Sequence, residues 1–424
     1  MATAHPPAVA LDGTARLPPE VIGGKGRSID MMRRHGLPVP PAFCLTATTG
    51  ARFLTRPEHA LDDVWDDVLD QLSRLERQTA RSFGHGPQPL LVSVRGGAAV
   101  SMPGMLTTVL NVGITPEVCD ALAVRYGRDV VSDIDHRFRR SYTTLCDNEI
   151  PTQPVAQLRG AIAAVFSSWN APRAVTHRRR HGAGGHGTAA IVQAMVFGNL
   201  PHRSGSGVLF SGNPITGSAE PFGEWTPGRQ GPDLVSGVTD GQPLSELARC
   251  EPATYRQLLN AARELASHTG DVVEVEFTVE SGTLWLLQSR PAVRALRDTV
   301  QQIGESHSSA TVLATGVSAC PGVACGRAYT DVDAAVAAAA RGEDVILVRA
   351  TTSPDDVVGM LAARGIVTEI GGATSHAAVL SREMGRPAVV GCGTGLLDRL
   401  HGRLITVDGT AGQVRAGAET SAGA

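Results

Sequence analysis

Apart from Lys25, every one of the 38 Lys and Arg residues in this chain is an arginine. No excess of basic charge is present: the formal net charge is −3, so no global positive field draws in nucleic acid or a membrane surface. No apolar run approaches the ~18 residues needed to span a bilayer. The N-terminus lacks a basic start followed by an apolar core, so no signal peptide is expected. The seven cysteines are odd in number and scattered. The closest pair, Cys320 and Cys325, lacks CxxC spacing, which indicates neither a zinc site nor a disulfide framework and points to a reducing cytoplasm. Two familiar phosphate loops are also missing. There is no GxxxxGK[ST] P-loop, and no GxGxxG follows a strand as in a dinucleotide fold.

What is present is globular. Hydrophobic residues make up 42% and charged residues 19% of 424 residues, enough for two or three domains with buried cores. Residues 1–20 read as a loose leader. A Gly-rich turn follows, then a helix from Ser28 to His35, which Leu37-Pro-Val-Pro-Pro ends. Leu61, Val64, Val68, Leu72 and Leu75 form one helical stripe. Leu90 to Arg95 reads as a buried strand, 116–168 as helical, and Thr188–Phe197 and Ser206–Phe210 as strands. Residues 211–245 are rich in Gly and Pro. The basic patch from His177 to Gly187 lacks interleaved aromatics and reads as a solvated loop rather than a nucleic-acid site. Residues 294–312 have few apolar anchors and resemble a linker. Beyond them an α/β rhythm, with an Ala-rich helix from Asp333 to Ala340, runs to about Val414. The division expected is therefore 1–20 leader, 21–293 first domain, 294–312 linker, 313–415 second domain and 416–424 tail.

Four features carry chemistry. Arginine-favouring codon usage accounts for most of the lysine depletion, but not for the survivor's place in Gly23-Gly24-Lys25-Gly26. A compact ammonium and a planar guanidinium suit different phosphate sites, so Lys25 is read as chemically required. In the run Gly371 to Gly385, a strand enters two glycines and a helix starts near Thr374 or Ser375. His376 is then in the first turn, beside unsatisfied N–H groups and the positive end of the dipole. Such a histidine is kept neutral as a nucleophile, and a phosphoryl group on it meets the same donors. Arg382, six residues on, is within reach of that phosphate. A hairpin is expected from Val273 to Arg290, with Glu274 and Glu276 on one face and Gln288 and Arg290 sharing a face of the partner strand. Two carboxylates beside Gln and Arg make a cradle for Mg²⁺ and a polyphosphate. Finally, Arg95 closes a buried strand and opens the loop Gly96 to Gly104, a reasonable phosphate nest.

Together the stretches IGGKGRSIDMMRRHGLPVPPAF, LLVSVRGGAAVSMPGMLTTVLNVG, SGSGVLFSGNPITG, VEVEFTVESGTLWLLQSR and TSPDDVVGMLAARGIVTEIGGATSHAAVLSREMGRPAVVGCG resemble the pyruvate phosphate dikinases, and the phosphoenolpyruvate synthases more loosely. The matches run in family order over about residues 20–414. The resemblance implies an α/β (α+β) chain: an ATP-grasp-like nucleotide-binding domain followed by a swivelling β/β/α phosphohistidine domain. It implies that Lys25 and Arg95 bind the phosphates of ATP, that Glu276 and Gln288 hold Mg·ATP with Glu274 as a further metal ligand, and that Arg290 contacts phosphate. His376 would accept the β,γ-pyrophosphoryl of ATP. Transfer of the γ-phosphoryl to inorganic phosphate would then leave phospho-His376, AMP and pyrophosphate. Thr374 matches a position phosphorylated in plant dikinases.

Departures from the family pattern are also visible. Glu274 stands where the family usually has Asp. Pro232 replaces the usual acidic residue after Gln-Gly, although Glu224 and Gln230 of that segment are retained. The family's (β/α)₈ barrel, which binds pyruvate and phosphoenolpyruvate, needs ~250 residues, and the sequence stops soon after the phosphohistidine segment. The expected partner is therefore a separately encoded barrel subunit. Two alternatives are a small-molecule phosphotransferase or a synthase using water in place of phosphate. A third, of another class, is an inactive ATP-sensing scaffold.

Overall fold

The computed structural model describes residues 5–100, 102, 105–146, 149–180, 187–231, 241–292 and 310–417. Ser101, Pro103 and Gly104 of the Arg95 loop, residues 181–186 of the basic patch, Pro232, residue 293 with residues 294–309 of the linker, and residues 418–424 of the tail lie outside them. Two compact units form: residues 1–200 with 285–289, and residues 201–284 with 290–424. Among the described residues, no helix is long and apolar enough to cross a membrane.

The first unit is built on an antiparallel sheet in the order Ala8–Ala10, Ala42–Leu45, Ala189–Ala194, Val92–Gly97, Thr108–Val112. Every residue of Ala42–Leu45 and Ala189–Ala194 is buried, as near-continuous apolar runs are when both faces of a sheet are covered. Helices Trp65–Thr79 and Pro154–Ser167 supply apolar stripes to the core. Leu61, Val64, Val68, Leu72 and Leu75 all lie in it, as their spacing predicts. The first helix departs from expectation. It spans Pro19–Arg34 and not Ser28–His35, because Pro19 sits at its first position, where a missing N–H costs nothing. A break at Gly23 (φ 72°, ψ 161°) interrupts it.

The second unit contains two sheets. In one, strands Gln242–Pro243, Phe222–Pro227, Gly205–Phe210 and Val273–Glu280 pair antiparallel in that order, with Trp225 stacked on Phe277. The strand Phe222–Pro227 was hidden by the Gly and Pro around it. Ser281 and Gly282, both with positive φ, turn the chain into strand Thr283–Pro291. The other sheet has eight strands, ordered Val312–Thr315, Gln413–Ala416, Leu404–Asp408, Val323–Tyr329, Val345–Arg349, Gly365–Thr368, Ala388–Val390, Val317–Cys320. Its centre is parallel: Val323–Tyr329, Val345–Arg349, Gly365–Thr368 and Ala388–Val390 run the same way. Helices Val332–Ala340, Val357–Ala362 and His376–Met384 make the three crossovers. Mixed α/β architecture follows, as the sequence implied.

Candidate active site

Parallel neighbours end at the same edge of a sheet, and ligand-binding residues of α/β folds collect beyond those carboxyl ends. Strand Val345–Arg349 leads to Thr352, Ser353 and Asp356; its neighbour Gly365–Thr368 leads to the loop 369–375 and His376. Adjacent loops thus bring Thr352 and His376 together. Thr352 Oγ1 is 3.2 Å from His376 Nδ1. Ser375 caps the helix, accepting from Ala378 N at 3.4 Å, so His376 occupies the first helical position as the sequence indicates. It is 7% exposed, and its Nε2 has no hydrogen-bond partner among the described residues. Burial pushes its pKa down to about 4, with the Asp356 carboxylate pulling the other way. The imidazole is therefore neutral at pH 7, with one ring nitrogen engaged and the other open.

Asp356 is itself held. Its carboxylate accepts from Ser353 N at 2.6 Å and Ser353 Oγ at 2.9 Å, closing a capping box, and pairs with Arg349 at 2.9 Å. Sequence reasoning passed over Thr352 and Asp356. The S-x-x-D pattern after an apolar strand was a legible signal for the cap, but nothing local pointed from it to His376.

The loop before His376 is gripped from several sides. Ala373 N donates to Glu224 Oε1 at 3.0 Å, and the Thr374 hydroxyl donates to Glu224 Oε2. Arg382, expected to reach a phosphate, is 3% exposed and donates to the carbonyls of Ala319 (3.1 Å) and Ala373 (2.9 Å). Its guanidinium also lies 5.7 Å from the Phe210 ring, and burial lowers its pKa. Glu274, 5% exposed, pairs with Arg290 at 2.9 Å, and Arg290 lies 3.7 Å from Glu383 of the His376 helix. Burial works against the charge on Arg290, yet Glu274, Glu383 and Glu276 outweigh it and raise its pKa. Glu274 and Glu276 alternate on one strand and share a face, as period-2 geometry requires.

In the first unit the Lys25 turn packs against the end of the Arg95 strand, and Arg95 reaches Gln288. Gly24 N donates to Ala98 O at 2.8 Å. A Cβ on Gly23 would stand 2.2 Å from Gly97 O, and one on Gly97 3.7 Å from Lys25 Cβ. The glycines therefore let the Lys25 turn lie against the end of the Arg95 strand. Arg95 lies 3.5 Å from Gln288 Oε1, and Ser28 fixes that stretch by bonding both the N–H and the C=O of Ser289. Among the described residues, no group of three or more His, Cys, Asp and Glu side chains is arranged to hold a metal. A divalent cation here would need oxygens from its nucleotide, which is the usual manner for Mg²⁺.

A buried, neutral histidine at a helix N-terminus thus lies in one unit, and Lys25, Arg95 and Gln288 lie in the other. Residues 341–412 match the mobile domain of phosphoenolpyruvate-utilising enzymes, and residues 60–246 the AMP/ATP-binding domain of pyruvate phosphate dikinase. The chain thus carries the nucleotide-binding and mobile domains found in pyruvate phosphate dikinases. It is 34% identical to pyruvate, phosphate dikinase of Rhizobium meliloti over 93% of its own length and 56% of that protein. With the Clostridium symbiosum dikinase it shares 32% over 94% of its length and 56% of the relative. With the chloroplastic dikinase 1 of Arabidopsis thaliana it shares 33% over 95% and 51%. The chain spans about half the length of the curated relatives it matches.

Proposed function

We propose that this chain carries out the nucleotide half-reaction of a dikinase: ATP, inorganic phosphate and His376 give AMP, pyrophosphate and phospho-His376. The observation that carries this reading is His376 itself, buried, neutral and capped at a helix start, with Nε2 open. When Nδ1 is protonated and donates to Thr352 Oγ1, Nε2 keeps the lone pair that attacks the β-phosphorus of ATP. The bond from the α,β-bridging oxygen to the β-phosphorus breaks, and AMP leaves with that oxygen. An oxygen of inorganic phosphate then attacks the γ-phosphorus. Pyrophosphate departs, and the β-phosphoryl remains on His376.

In this reading Lys25 and Arg95 bind ATP phosphates, and Arg290 meets phosphate once Glu274 and Glu383 share it. Glu276, Gln288 and Glu274 would hold Mg²⁺, which when bound neutralises phosphate charge. Same-face carboxylates on a rigid strand fit a cation that takes one or two carboxylates and completes its shell with phosphate oxygens. Arg382 acts through the loop backbone it holds. Thr374 is a candidate regulatory hydroxyl. The nucleotide-binding domain is taken as 21–293 and the phosphohistidine domain as 313–415, with 294–312 as linker. Phosphoryl transfer then goes to pyruvate on a barrel, whether on a continuation of the polypeptide or on a separate subunit; cytoplasmic residence suits these substrates.

Incubation with β-³²P-ATP, Mg²⁺ and phosphate tests this. Acid-labile, alkali-stable label should appear on His376 and be absent from His376→Ala. Wild-type protein that stays unlabelled while binding ATP would sink the reading.

A further inference from the structure

We infer that Glu224 is a positioning residue, whose carboxylate holds the loop that presents His376. In the sequence Glu224 stands out only as a retained acidic residue of the segment that contains Pro232. On strand Phe222–Pro227, opposite Val208 and Pro243, it accepts from Ala373 N at 3.0 Å through Oε1 and from the Thr374 hydroxyl through Oε2. Both oxygens of the carboxylate are thus engaged by consecutive residues, which lie 149 and 150 positions away in sequence. Hydrogen bonds to an ionised acceptor are about twice as strong as neutral ones.

Two further observations converge on the same loop. A Cβ on Gly372 would fall 2.1 Å from Glu224 Oε1, so the glycine is what lets the carboxylate approach. Ala373 is held at its other end too, since its carbonyl accepts from Arg382 at 2.9 Å. One peptide residue, three before His376, is therefore clamped by an anion on its N–H and a cation on its C=O. The chain between that clamp and the nucleophile is only Thr374 and Ser375, and Ser375 is fixed as the helix cap and by its N–H to Gly372 O at 3.1 Å. A slack loop would let the imidazole wander, and misplacement by about 1 Å can cost a hundredfold in rate.

This inference rests on the phosphohistidine reading for its kinetic arm but not for its structural arm. In Glu224→Ala, peptides covering 371–378 should exchange backbone hydrogens about tenfold faster than in wild type. Formation of labelled His376 should slow about tenfold with the ATP KM unchanged. Glu224→Gln, which keeps an acceptor oxygen, should recover most of both, and Thr374→Val should reproduce part of the loss without adding to Glu224→Ala. Unchanged exchange over 371–378 in both Glu224→Ala and Thr374→Val overturns the proposal. So does a rise in ATP KM shared by Glu224→Ala and Glu224→Gln, which would mark a nucleotide or cation contact. Wild-type protein that never labels removes the function reading alone, because hydrogen exchange still decides the clamp.

Discussion

Lys25 and His376 are two residues whose chemistry depends on one atom each. Lys25 lies in a turn pressed so closely onto Gly97 that no side chain fits at Gly23. A planar guanidinium there has a longer reach and a fixed fork. Lys25→Arg should therefore slow labelling of His376 tenfold or more with the fold unchanged, measured by single-turnover labelling beside circular dichroism. Equal rates for the two proteins would return the lone lysine to codon usage. For His376 the sign of the pH effect follows from burial. Its folded pKa of about 4 lies below the ordinary 6.5, so the neutral form is favoured by folding. The stability this contributes is complete above pH 6.5 and is lost as pH falls toward 4. At about 1.4 kcal/mol per pKa unit, roughly 2 kcal/mol should be lost between pH 7 and 5. His376→Gln should lack that component in urea titrations at the two pH values. The imidazole Cε1–H resonance should stay at its neutral position down to pH 5. A midpoint near 6.5 would show that burial does not control the ring.

Elements differ in how far their sequence announces them. The His376 helix was legible because its signals are local: two glycines, a Ser cap, an apolar run and Gly385 at its end. So was the stripe from Leu61 to Leu75. The start of the first helix was not, because Gly23 sits at φ 72° and its break looks like a boundary in one dimension. The clamp of Glu224 on Ala373 and the ion pair of Arg290 with Glu383 join residues about 150 and 90 positions apart. Local pattern carries no record of such pairs. The same applies to Thr352, which meets His376 only because two parallel strands end side by side. Gly23 and Gly36 allow the element-scale reading to be tested. Both have positive φ, but a Cβ on Gly36 meets nothing within 4 Å while one on Gly23 strikes the Gly97 carbonyl. Gly36→Ala should cost about 1 kcal/mol from backbone conformation alone. Gly23→Ala should cost 2 kcal/mol or more beyond that and raise the ATP KM, since the Lys25 turn must move. Urea midpoints for the two variants make the comparison, and equal losses would mean that the close approach is unimportant.

At the scale of the whole molecule, the candidate residues fall into two groups. Lys25, Arg95 and Gln288 belong to one compact unit; His376, Arg382, Glu274, Glu276 and Arg290 belong to the other. In the proposed half-reaction His376 acts on a nucleotide bound largely by the other group of residues, and the second acceptor then distinguishes two chemistries. A dikinase needs inorganic phosphate to take the γ-phosphoryl group, whereas a synthase-type enzyme uses water. The two differ in one measurable respect. With Mg²⁺ present and pyruvate absent, a single turnover of the dikinase half-reaction accumulates phosphorylated His376 only when phosphate is supplied, and its product is pyrophosphate. With [γ-³²P]ATP, the label should leave His376 as pyrophosphate at a rate that rises with phosphate concentration and then saturates. Arsenate or sulfate should not replace it in forming pyrophosphate. Release of the label as inorganic phosphate, at a rate indifferent to added phosphate, would instead identify water as the second acceptor. Arg290, already shared between two carboxylates, is placed among the second group, so Arg290→Gln should raise the phosphate concentration needed for half-maximal turnover more than that of ATP. If both shift equally, Arg290 serves the nucleotide rather than the phosphate.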